Sequence, residues 1–287
     1  MAVQKKVGVD IGGTHITAAL VDLEKGTLLA DSLIREHVDA KGNKADIIHS
    51  WAQGIRNVTG GSTPEELRVG IAMPGPFDYA EGISLMQNQD KYDALYGINV
   101  KELLADALQM PPAHFQFMND AACFLQGEAF GGAAKGAERA VGLTLGTGLG
   151  SAFYRDGMAE DAALWRSPFK EGIAEDYLSS RWFTKHYCSL SGNEVSNVKS
   201  LVELLPSDAL VQTVFNEFGQ HLAQFLLPYM EREKPEVVVI GGNIAQALDL
   251  FEPALLQTLV SQGITVPVKQ GELGEEAALI GAACLWK

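Results

Sequence analysis

The chain has 287 residues, 47% hydrophobic and 20% charged, a balance that buries a sizeable core and a length that suits about two domains. Lys and Arg total 22 against 36 Asp and Glu, a net charge of −14 with no basic cluster, which excludes nucleic acid as a general partner. No run approaches the roughly 18 apolar residues that span a bilayer, Asp10 breaks any signal-peptide core, and three scattered cysteines (Cys123, Cys188, Cys284) suit a reducing compartment, so the expectation is a cytoplasmic protein with no membrane partner.

In chain order, Val7-Gly-Val-Asp-Ile-Gly-Gly-Thr-His-Ile-Thr-Ala-Ala-Leu20 reads as two β-rich runs joined by a small-residue loop. It resembles Val141-Gly-Leu-Thr-Leu-Gly-Thr-Gly-Leu-Gly-Ser-Ala-Phe-Tyr154, a near-repeat that predicts two similar halves, each opening with a hairpin. Residues 45–58 put Ile47, Ile48, Trp51, Ile55 and Val58 at helical spacing, and residues 60–64 read as a surface loop. A buried strand over 67–73 ends at Pro74-Gly-Pro76; a helix over 100–108 is stopped by Pro111-Pro112. A strand over 115–118 runs into Asn119-Asp120 and a helix over 121–130. Residues 164–187 and 207–233 read as largely helical, 237–240 as a central strand, 245–250 as helical, and 275–286 as a last apolar helix. Strands alternating with helices predict an α/β architecture.

Two glycine loops offer bare backbone N–H groups to an anion: Asp10-Ile-Gly12-Gly13-Thr14 and Gly146-Thr147-Gly148. Each alone reads equally well as a tight hairpin turn. Their order, strand–loop–strand, is neither that of a dinucleotide fold nor a Walker loop. Two such loops in matching positions suit a polyphosphate gripped from both sides. A carboxylate at the mouth of the first repels phosphates unless Mg²⁺ lies between, which makes Asp10 a metal candidate. Asn119-Asp120 stands where open α/β sheets bind ligands; one residue is needed as an N-cap, leaving the other for proton transfer. Gly241-Gly242-Asn243 is a third strand-end turn, equally a plain βα turn or a place for a nucleoside. The six histidines show no ligand spacing, and neither a Gly-x-Ser-x-Gly elbow nor a His-Glu-x-x-His motif is present.

The ordered set Asp10-Ile-Gly-Gly-Thr14, Pro74-Gly-Pro76, Asn119-Asp120, Leu145-Gly-Thr-Gly-Leu-Gly150, Gly241-Gly242 and Ala277-Ala-Leu-Ile-Gly-Ala-Ala283 resembles the ROK family of sugar kinases and related proteins, of the actin–hexokinase–Hsp70 ATPase superfamily. The resemblance spans essentially the whole chain. It implies a two-domain actin/hexokinase-like (ribonuclease H-like) α/β fold with a central cleft, divided as 1–119 plus 275–287 and 120–274. It also implies ATP and Mg²⁺, and phosphoryl transfer to the 6-hydroxyl of a hexose. Asp120 matches the catalytic base. Asp10, Gly12, Gly13 and Thr14 match the first phosphate loop, Gly146, Thr147 and Gly148 the second, and Gly241, Gly242 and Asn243 the adenosine turn. Asp10 would hold Mg²⁺ through water. Gly75, Asn88, Asn119, Asp120 and Glu175 match the sugar side.

The chain departs from the family pattern over 157–174, which contains neither His nor Cys, so no zinc site is expected and a histidine contact to the sugar is missing. Glu175 is expected to keep the last sugar contact while lying outside every phosphate loop, so that its loss leaves the KM for ATP unchanged. The expected function is a glucokinase-type hexose kinase. The alternatives are another acceptor sugar, polyphosphate as donor, or a non-catalytic sugar or nucleotide sensor. A homodimer is compatible with the sequence.

Overall fold

The computed structural model describes residues 5–60, 62–89 and 91–287; the first four residues, Gly61 of the expected surface loop and Asp90 lie outside the described residues. They divide into two compact units, one running up to Gly132 and resuming at Glu275–Lys287, the other Ala133–Gly274.

In the first unit, β1 (Lys5–Ile11) and β2 (His15–Asp22) form the expected antiparallel hairpin, with Asp10 opposite Thr17. β3 (Thr27–Leu28) and β4 (Ile34–His37) both pair with β2. α1 (Lys44–Thr59) starts at Asn43, whose side chain accepts the Asp46 N–H at 3.0 Å, and it buries the five apolar residues that its spacing predicts. β5 (Leu67–Met73) lies parallel to β1, followed by the small hairpin of β6 (Phe77–Asp78) and β7 (Ile83–Ser84). α2 (Val100–Leu108) is capped by Asn99 and ends in Gln109, two residues before Pro111. β8 (Phe115–Asn119) adds parallel to β5 and runs into α3 (Asp120–Gly131). Val7, Val9 and Ile11 alternate onto one face of the sheet and meet Ile47, Trp51 and Ile55 of α1 in the core of this unit.

In the second unit, β9 (Ala140–Leu145) and β10 (Leu149–Arg155) form the second hairpin, extended by β11 (Met158–Asp161). The stretch 164–187 corrects the expectation of a largely continuous helix. Leu164–Arg166 is a single 3-10 turn. β12 (Pro168–Phe169) and β13 (Gly172–Ile173) then make a hairpin in which Lys170 has φ 51°. Only α4 (Ala174–Tyr177) and α5 (Ser180–Ser191) are helical. Pro168 and Gly172 disfavour a helix that the apolar spacing alone suggests. α6 (Val198–Glu203) and the long α7 (Ala209–Glu233) follow. β14 (Val237–Gly241), α8 (Leu248–Ser261) and β15 (Val268–Gln270) complete the unit. Phe183, Phe215, Phe218 and Phe251 are fully buried in its core, each contributing about 2–3 kcal/mol.

The first sheet runs β3-β2-β1-β5-β8 and the second β11-β10-β9-β14-β15. Apart from β4, which also pairs with β2, these match position for position: a hairpin, a short outer strand, and two parallel strands on the other side. The near-repeat of sequence is therefore a repeat of topology. From Glu275 the chain returns to the first unit as α9 (Glu276–Ala283). It lies directly on the backbone of the sheet, because Gly8 and Gly70 are cross-strand partners there; a Cβ on them would stand 2.0 and 1.9 Å from the Leu279 and Ala282 carbonyl oxygens. α3, which the sequence reading puts at the head of the second domain, packs against α9 in the first unit. Among the described residues, no helix is long and apolar enough to cross a membrane.

Candidate active site

In the first unit the expected residues gather where α/β sheets bind ligands, at the carboxyl ends of the parallel strands β1, β5 and β8. Asp10, Ala72 and Met118 form one row across these strands. Asp10 ends that row on β1. Burial is the main cause pushing its pKa up from 3.8 to about 7; Asp120 and Glu275 add to the rise and Arg35 opposes it. The loop that follows closes with the Gly12 N–H donating to the His15 carbonyl at 2.9 Å. The buried Tyr92 hydroxyl donates to the Gly12 carbonyl at 2.6 Å, and the Val38 N–H to the Thr14 carbonyl at 2.8 Å. Gly13 and Thr14 are exposed. The backbone of this loop is thus fixed from behind while its front stays open.

At the end of β8 the two candidates divide their labour. Asn119 is the N-cap: its Oδ1 accepts the N–H groups of Ala121 at 2.9 Å and Ala122 at 3.2 Å. Asp120 opens the helix, exposed, with Oδ1 accepting the Ala121 N–H at 2.9 Å. A carboxylate is favoured there by the helix N-terminus. With its oxygen turned to the helix, Asn119 points Nδ2 at Tyr79, donating to that hydroxyl at 3.3 Å; the Tyr79 hydroxyl donates onward to the Met73 carbonyl at 3.2 Å. This chain sets the orientation of the Asn119 amide, which offers a bound molecule an N–H and no acceptor. Gly75 joins the same cluster, since the Tyr79 oxygen lies 3.1 Å from where a Gly75 Cβ would stand. Asn88 is exposed at φ 57° and is not hydrogen-bonded to Asn119 or Asp120 among the described residues.

In the second unit, Gly146, Thr147 and Gly148 join β9 to β10, the Gly146 N–H donating to the Gly148 carbonyl at 3.0 Å. The Gly241-Gly242-Asn243 turn lies beside them. Gly241 pairs with Thr144, and Gly242, at φ 82°, packs so closely that a Cβ would stand 2.4 Å from the Leu145 carbonyl; Asn243 then opens a 3-10 turn. Glu175, expected to stand apart from the glycine loops, instead packs against the end of the second one. Its Oε2 accepts the Leu149 N–H at 3.1 Å, one residue past Gly148, and its Oε1 accepts from Arg181 at 2.7 Å. The Ser180 N–H also donates to the Gly146 carbonyl at 2.8 Å. The starts of α4 and α5 therefore hold this loop.

Tyr79, Tyr92 and Arg181 go unnoticed in the sequence. Their partners lie 40, 80 and 6 residues away, so only the strand and helix arrangement reveals them. Among the described residues no group of three or more His, Cys, Asp and Glu is gathered to hold a metal ion.

The two hairpin loops and the strand-end pair sit on a chain that the ROK family sequence model matches over residues 6–161 and 170–287. The chain belongs to the ROK family. This ROK protein is 26% identical to "Glucokinase" of Thermotoga maritima, over 99% of this chain and 97% of that protein. It is 24% identical to "N-acetylgalactosamine kinase AgaK" of Shewanella sp. strain ANA-3, over 97% of this chain and 95% of that one. The crystal structure of a ROK family glucokinase from Streptomyces griseus in complex with glucose and AMPPNP shares its fold, with a TM-score of 0.78, 21% identity and 98% of each chain covered. The fold is therefore the α/β, actin/hexokinase-like fold of ROK sugar kinases, and the chain is a sugar-kinase homologue. The family match breaks at residues 162–169, within the segment that carries neither His nor Cys.

Proposed function

We propose that this ROK protein is a phosphotransferase that moves the γ-phosphoryl group of ATP to the 6-hydroxyl of a hexose, in the cytoplasm. One observation carries the reading: Asn119 serves as the N-cap of α3, so Asp120, whose Oδ1 shares the Ala121 N–H, stands exposed at the end of β8 with its charge felt at Asp10. Asp120 accepts the proton of the attacking hydroxyl, as a general base does in phosphoryl transfer. Asn119 donates to a sugar oxygen, Gly75 leaves room for the ring, and Asn88 and Glu175 complete the sugar contacts. Glu175 has a lone pair left on each oxygen for this beyond its bonds to Leu149 and Arg181. The Gly12–Thr14 and Gly146–Gly148 amides take phosphate oxygens, and Gly241, Gly242 and Asn243 support the nucleoside.

The donor set also fits Mg²⁺. Burial first, and then the charges of Asp120 and Glu275, raise the pKa of Asp10, and a divalent cation would offset both; Asp10 would hold it through water. Mg²⁺ held there would supply charge neutralisation for the transferring phosphoryl group.

The test is Asp120→Asn. It should keep Kd for sugar and for AMPPNP within about tenfold while lowering kcat at least about 10²-fold. A near-normal kcat removes Asp120 from the role of base.

A further inference from the structure

The first phosphate loop contains no Lys or Arg, yet β4, paired to the second strand of its hairpin, carries Arg35. Asp10 pairs with Thr17 across β1 and β2, and Thr17 pairs with Arg35 across β2 and β4. Directly paired residues project from the same face of a sheet, and strands lie about 4.8 Å apart. Arg35 therefore rises from the same face as Asp10, two strands away. The next pair along that face is His15 and His37, rings edge to face at 5.6 Å, with His15 Nδ1 lying 2.8 Å from Thr14 Oγ1 of the loop itself. In a chain of net charge −14, this face gathers Arg35, His15 and His37 at the lip of a phosphate loop.

Arg35 is held aside by one weak contact. Its Nη1 donates to Glu275 Oε2 at 2.7 Å, just ahead of α9, and the two side chains are 52% and 83% exposed. Exposed pairs of this kind are worth 0 to about 1 kcal/mol, so a better anion displaces the carboxylate. A phosphate is a better anion, because a planar guanidinium meets it with two parallel N–H bonds.

We propose that Arg35 binds the terminal phosphate of the donor at the Gly12–Thr14 loop, and that Glu275 holds the guanidinium in place until the phosphate arrives. The inference rests on the kinase reading above. Arg35 supplies the positive charge that the loop lacks, and Glu275 competes with the donor for it. The two residues should therefore act with opposite signs.

The test is calorimetric binding of AMPPNP with Mg²⁺ to the full chain, with ADP as the probe that lacks the terminal phosphate and thermal unfolding as a check on the fold. Arg35→Ala should raise Kd for AMPPNP about 10- to 100-fold, as loss of a charge-assisted bond does, and change Kd for ADP less than about threefold. Arg35→Lys should recover part of the loss. Glu275→Gln should tighten AMPPNP by up to about fivefold. An unchanged Kd in Arg35→Ala overturns the proposal, and so does a Glu275→Gln variant that weakens AMPPNP as much as Arg35→Ala, because the pair is then only a strut. Failure of the kinase reading looks different: AMPPNP binding follows the pattern above, but no hexose is phosphorylated. A wild-type protein that does not bind AMPPNP overturns both.

Discussion

Replacing Glu175 by Gln keeps the shape of the side chain and removes its charge. The carboxylate accepts from two donors, the Leu149 N–H and Arg181, and an amide oxygen serves only one of them. Leu149 is buried and Arg181 is exposed, so the amide oxygen stays with Leu149 and Arg181 turns to water. Two losses follow. The bond to Leu149 falls from charge-assisted to neutral, about 1 kcal/mol, and the Arg181 pair, discounted for its exposure, contributes 0 to about 1 kcal/mol. The sum, about 1–2 kcal/mol, is spent on holding the loop after β9. With part of it expressed in nucleotide binding, the KM for ATP should rise about three- to tenfold. Arg181→Ala, which removes only the exposed pair, should change it less than about twofold. Steady-state kinetics with ATP and hexose varied in turn separate the effects. An ATP KM unchanged in Glu175→Gln, with the sugar KM raised, refutes this reasoning and returns Glu175 to the sugar side alone.

Tyr79→Phe removes the hydroxyl that orients Asn119, so the sugar KM should rise about three- to tenfold with kcat and the ATP KM unchanged; equal losses for both substrates in the same assay count against it. Asp10→Asn should stabilise the protein in Mg²⁺-free buffer in a pH-dependent way. Below about pH 4 neither folded nor unfolded Asp10 is ionised; from there to about 7 the unfolded chain ionises first, and native stability is lost as pH rises, by at most about 4 kcal/mol. The Tm of Asp10→Asn should therefore pull ahead of wild type between pH 4 and 7 and hold a constant lead above 7; a lead independent of pH contradicts the burial of this carboxyl. Gly8→Ala should unfold the first unit or lower Tm by well over 10 °C, because its Cβ overlaps the Leu279 carbonyl, and a wild-type Tm by calorimetry shows that α9 does not lie on β1.

Much of this protein was readable where a local pattern and the fold agree. The spacing of Ile47, Trp51 and Ile55 gives α1, the β-branched run at Val237–Ile240 gives the central strand β14, and the paired glycine hairpins announce two sheets of one topology. The stretch 164–187 misleads because its apolar residues fall at helical intervals while Pro168 and Gly172 favour a hairpin. Residue types at strand ends single out Asp10, Asn119 and Asp120 as candidates. What orients them does not show in sequence: the Tyr92 hydroxyl reaches Gly12 across 80 residues, and Arg35 comes beside Asp10 only through the register of three strands. Glu175 is the instructive case, since its place in the motif says nothing of the Leu149 N–H that it holds.

The central claim is that Asp120 at the end of β8 serves phosphoryl transfer to a sugar. The most direct measurement is incubation of the purified chain with ATP and Mg²⁺ against a panel of hexoses and N-acetylhexosamines, following ADP release and identifying the product by phosphorus NMR. The account predicts ADP released in step with a sugar phosphorylated at its 6-hydroxyl for at least one hexose, at a rate at least about 10²-fold lower in Asp120→Asn. AMPPNP and a sugar both bound, with no phosphorylated product from any of them, would contradict it and make this protein a sensor.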